Sequence, residues 1–68
     1  MFNTLKAAYY RLRMAHLDHL IDVLITDQNV AVDEGNAAQV LTIETEILEL
    51  QSERSMFRRK LRALPQPT

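Results

Sequence analysis

Sixty-eight residues, 47% of them apolar, carry a formal charge of −1 and include no cysteine, one glycine and two prolines. This excludes a second domain, disulfide cross-links, thiolate catalysis and cysteine-ligated zinc. A lone core of this size supplies no more than roughly 3–5 kcal/mol, so a folded chain without disulfides calls for a metal or for association with another chain.

The first stretch, "MFNTLKAAYYRLR", has no uninterrupted apolar run, because Lys6, Arg11 and Arg13 break it. It does not read as a signal peptide, and no window of the chain is apolar enough to span a bilayer. The expected location is the cytoplasm. From residue 3 to about residue 28 nothing breaks a helix. Tyr10, Met14, Leu17, Ile21 and Leu24 alternate at spacings of four and three, which puts them on one helical face. Leu5, Tyr9, Leu20 and Val23 widen that face, so the first helix is expected to meet more than one neighbour.

"DQNVAVDEGN" then interrupts the pattern, giving an expected turn at about residues 29–34. Asn29 is a candidate helix terminator and Asp33 a candidate N-cap, with Glu34 favourably placed for the following dipole. Gly35 and Asn36 also permit a later start, with Asn36 as the cap and Gln39 three residues on.

The second helix is expected over about residues 35–64. Val40, Ile43, Ile47, Leu50, Arg54, Phe57, Leu61 and Leu64 form a heptad seam with one polar member, Arg54. Pro65 ends it and leaves 65–68 as a short tail. Two long helices and one short turn predict an all-α antiparallel hairpin over residues 1–64. Ala37, Leu41 and Leu48 make a second ridge away from the seam. With a core this small, that ridge predicts a homodimer forming a four-helix bundle, with an interface of Leu17, Ile21, Leu24, Ala37, Leu41 and Leu48.

Charge is segregated along the chain. Lys6, Arg11 and Arg13 precede a long stretch that holds every Asp and Glu and no Lys or Arg. Arg54, Arg58, Arg59, Lys60 and Arg62 follow it. In a hairpin the two basic segments meet at the open end, leaving the middle and the turn acidic. Tyr9, Tyr10 and Phe57 sit among these cations, and aromatics with arginine are the usual composition of protein-interface hot spots. Tyr9, Tyr10, Arg11, Arg13, Arg58, Arg59 and Arg62 are therefore the candidate partner-binding residues, suited to an acidic protein surface. Phosphate contact is the alternative. The acidic middle opposes it, no recognised nucleic-acid-binding pattern appears, and the cations encircle the helix instead of forming one row.

Little in the chain points to chemistry. "AHLDHLID" sets His16, Asp18, His19 and Asp22 one helical turn apart in pairs, but no Glu-x-x-His and no further ligand accompany them. Glu46, Glu49 and Glu53 share a face and read as a solvating surface. No nucleophile triad or phosphate-binding glycine loop occurs. Neither an enzyme, a cofactor nor a metal is expected.

In length, in its two long helices and in its charged, aromatic ends, the chain resembles small phage- or mobile-element-encoded helical hairpins that dimerise and inhibit host proteins. The anti-quorum-sensing proteins are one such group. It is similar in format to small bacterial hairpin regulators and type III secretion chaperones. The resemblance implies a regulator that binds, and inhibits, a host transcription factor or ATPase. A subunit of a larger helical assembly is the structural alternative.

Overall fold

The computed structural model describes residues 2–65. It contains α1, Phe2–Asp33, and α2, Ala37–Ala63, packed antiparallel as a slender rod of 54 × 14 × 13 Å. The helical hairpin expected from the sequence is the fold.

The core is the meeting of two seams. On α2 every seam position from Val40 to Leu64 is buried or half-buried, with Ile43, Ile47 and Phe57 the most enclosed. On α1 the stripe through Tyr10, Met14, Leu17, Ile21 and Leu24 turns inward, and Leu17 is 1% exposed. The stripe does not stop there. Gln28 is half-buried and Ala31 is 1% exposed, continuing the same spacing. Ile21, Ala31, Ile43 and Ile47 form one cluster, flanked by Leu24, Val40 and Leu50.

This continuation corrects the expected end of α1. The helix runs through Gln28 and Asn29 to Asp33. An exposed Asn inside a helix costs under about 1 kcal/mol, less than abandoning the burial of Ala31 would. The turn is correspondingly short. The Gly35 amide donates to the Val32 carbonyl at 3.0 Å and the Asn36 amide to the Ala31 carbonyl at 2.9 Å. With Gly35 at φ 71, this is a Schellman closure, the left-handed glycine releasing the chain from the helix. Asp33 therefore ends α1 and caps nothing. Asn36 is the N-cap of α2, its side chain accepting from the Gln39 amide at 3.2 Å and donating to the Gln39 side-chain oxygen at 3.1 Å. At the far end Leu64 is extended, as Pro65 requires, and Lys60 and Arg62 complement the dipole of the last turn. The rest of the expected tail lies outside the described residues.

Two interface expectations are corrected by burial. Leu17 and Ile21, at 1% and 5% exposed, are consumed by packing against α2 and have no surface to offer a second copy. Leu24 is half-buried against the same cluster. A helical wheel does not distinguish a seam taken by the chain's own second helix from one taken by another chain. Ala37, Leu41 and Leu48 are exposed, Leu41 by 65% and Leu48 by 60%. Of the residues expected to widen the inner face of α1, only Leu20 is half-buried, while Leu5, Tyr9 and Val23 face outward.

Candidate protein-binding site

The hairpin places both basic segments at its open end. Asp18 and Arg54 mark the border, joined by an ion pair of 2.6 Å. Beyond them toward the termini lie all the other cations, and toward the turn lie nearly all the acids. The seam arginine thus pairs across the hairpin, its guanidinium held to the acid one level away on α1. The Nε of Arg54 is buried with no partner. The pair is partly exposed, its side chains 29% and 53% accessible, so its contribution to stability is modest.

Phe57 anchors the pole. It is 7% exposed, and two tyrosine rings gather on it, Tyr9 at 6.3 Å edge-on and Tyr10 at 5.9 Å tilted, 5.8 Å from each other. Arg13 and Lys60 each stand 5.7 Å from the centre of the Phe57 ring. Rings at these separations attract edge to face, and cations over a ring add about 0.5–1 kcal/mol each at exposed sites.

The seven candidate residues divide by role. Tyr10 is half-buried and belongs to the packing of the pole more than to its surface. Arg13 is also committed inward, to Phe57 and to Glu53 at 3.7 Å, with a side chain 37% exposed. Its Nε is buried without a partner, and the Glu53 contact is long. Tyr9 is 54% exposed and leans on the buried Phe57, which fixes its ring. Arg11, Arg58, Arg59 and Arg62 are exposed and make no ion pair among the described residues.

These residues do not form a single patch. Arg58 and Arg62 are four apart and share a flank of α2. Lys60, two positions from each, is turned about 160° away, onto the side of Tyr9 and Arg13. The sequence reading placed Lys60 and Phe57 in the basic pole but not among the candidate partner-binding residues. Their signal was present in the spacing of three that sets Phe57 and Lys60 one turn apart beside the tyrosine pair.

Elsewhere, a shallow apolar groove of about 410 Å³ lies at the opposite end, lined by Ala31, Val32, Gly35, Asn36, Ala37, Val40 and Leu41. It is remote from the basic pole and contains no ionisable group. His16, Asp18, His19 and Asp22 lie exposed along α1, and no three potential metal ligands converge among the described residues. No helix among them is long and apolar enough to cross a membrane. No protein-family model, no curated protein and no solved structure matches the chain.

Proposed function

We propose that this protein is a small non-enzymatic regulator that homodimerises and docks onto an acidic surface of another protein, inhibiting it. One observation carries the docking part. At one end of the hairpin, Arg11, Arg58, Arg59 and Arg62 are exposed and have no acidic partner among the described residues, so this pole presents uncompensated positive charge on more than one flank. Arginine forks match carboxylates geometrically, and arginine is enriched among the residues that carry interface energy. The format resemblance to phage-encoded inhibitors of host regulators points to a transcription factor or an ATPase as the partner class.

Self-association is supported by the distribution of apolar side chains. Among the described residues six are buried, whereas ten large hydrophobics are exposed. A chain of this size gains by covering them.

The docking test is affinity capture from a bacterial lysate with the wild type and with the Arg58→Glu, Arg59→Glu double variant. A partner retained by the wild type and lost by the variant is the expected result. If the variant keeps every specific partner, the pole is the wrong surface. The same four guanidiniums also favour a second reading, phosphate contact. A mobility shift on duplex DNA at about 50 mM salt that vanishes as salt rises would select it over the first.

A further inference from the structure

The outer face of α1 carries a second stripe, on the side away from α2. Leu5, Tyr9, Leu12, Val23 and Val30 are 67%, 54%, 69%, 45% and 51% exposed. They fall on one repeat of fours and threes whose remaining positions are His16, His19 and Thr26, all exposed. At about 100° per residue this stripe lies roughly 145° round the helix from the core seam. It contains five large apolar side chains, against Leu41 and Leu48 on the outer ridge of α2.

We propose that a second copy of the chain covers this stripe, its α1 running antiparallel, with the two-fold axis between His16 and His19. The proposal rests on the self-association part of the reading above and moves its interface from α2 to α1. Two independent features identify the occupant and its direction.

The first is symmetry in the repeat. The stripe reads the same from both ends about its midpoint. In an antiparallel pair Leu5 meets Val30 of the second copy, Leu12 meets Val23, and His16 meets His19. Every apolar layer but that of Tyr9 is thus matched by an apolar layer, and the histidines meet each other at the centre, where neither is set against a leucine. An isologous interface needs this self-complementarity.

The second is charge. Along the border of the stripe Lys6 comes level with Asp27 of the second copy, and symmetry forms that pair twice; both residues are exposed. On a larger scale the basic half of each rod lies on the acidic half of the other. A parallel pair would instead stack basic half on basic half and set Asp22 beside Asp27 along the seam. Opposed charge at this scale fixes the direction of pairing more than its strength.

The absence of cysteine makes the test direct. Leu12→Cys and Val23→Cys are prepared separately, mixed in equal amounts, oxidised, and resolved by intact mass. Both sites are exposed, so the core is untouched. The expected result is a disulfide chiefly between the two different variants. Like variants cross-link poorly, because in this register the two copies of position 12 stand about 16 Å apart along the helices, beyond disulfide reach. Predominance of like-variant disulfides overturns the direction. Absence of cross-links in a sample that sediments as a dimer, with Leu41→Cys cross-linking instead, overturns the surface and leaves the self-association reading standing. A monomer at micromolar concentration overturns both. As a second measurement, Lys6→Asp weakens the dimer about fivefold and adding Asp27→Lys restores it, the scale of two exposed ion pairs. Equal affinity of the single and double variants removes the Lys6 contact.

Discussion

Gly35 is the position where a one-atom change tests the hairpin most cleanly. Its φ of 71 is left-handed, and a Cβ built there meets nothing within 4 Å. Gly35→Ala therefore introduces no clash, and its whole effect is conformational. A non-glycine residue in the left-handed region costs about 1–2 kcal/mol. Failure to adopt it would release the amide bonds from Gly35 to Val32 and from Asn36 to Ala31 that close α1. The expected loss is about 1–1.5 kcal/mol, a large part of the roughly 3–5 kcal/mol such a core supplies. In urea, where a chain this small has a slope near 1 kcal/mol/M, the midpoint falls by about 1 M. The assay is far-UV circular dichroism against urea, at fixed protein concentration because self-association shifts the apparent stability. Gly35→Asn is the control, since asparagine tolerates the left-handed region better. It should recover part of the loss. Unchanged stability of Gly35→Ala would refute the Schellman closure, and equal losses in Ala and Asn variants would show that the space, and not the backbone, is limiting.

Asn36→Ala should cost about 1 kcal/mol by freeing the Gln39 amide at the start of α2, measured in the same urea titration. Phe57→Leu keeps much of the buried volume but removes the ring from two tyrosines and two cations. A loss of about 1–2 kcal/mol is expected, with a change in the near-UV tyrosine signal, which comes wholly from this pole because the chain has no tryptophan. Arg54→Met should be neutral or stabilising, since it exchanges a partly unsatisfied ion pair for apolar packing against the core. A loss above about 2 kcal/mol would show instead that the pair with Asp18 is a net stabiliser.

The heptad on α2 was legible in full from the sequence, because eight consecutive seam positions leave one solution for which side turns inward. The extension of α1 was less so. Asn29 looked like a terminator, while Gln28 and Ala31, polar and small, are weak as core signals even though they keep the spacing. The cue that outweighed Asn29 was Gly35, the one residue free to adopt the left-handed turn. The pole was legible as a collection of residues but not as an arrangement. Which tyrosine packs inward depends on the rotation of α1 against Phe57, and that rotation is set by Ile21 and Leu24 packing with Ile47 and Leu50 farther along. The same limit misplaced Leu17 and Ile21 at an interface between chains. The outer stripe of α1 escaped notice because three of its eight positions are polar.

The three-residue turn also gives the rod a direction in time. Contacts near Gly35 close loops of a few residues, whereas those at the pole close nearly the whole chain. Zipping therefore starts at the turn and reaches Phe57 last, and thermal fraying retraces the route from the other end. Amide exchange should grow slower from the open end toward the turn. The ring cluster on Phe57 then acts as a clasp at the end that opens first. The arginines held there are presented as a set only while it is fastened, so the fraction of time the clasp is shut sets an upper limit on how tightly any partner is held.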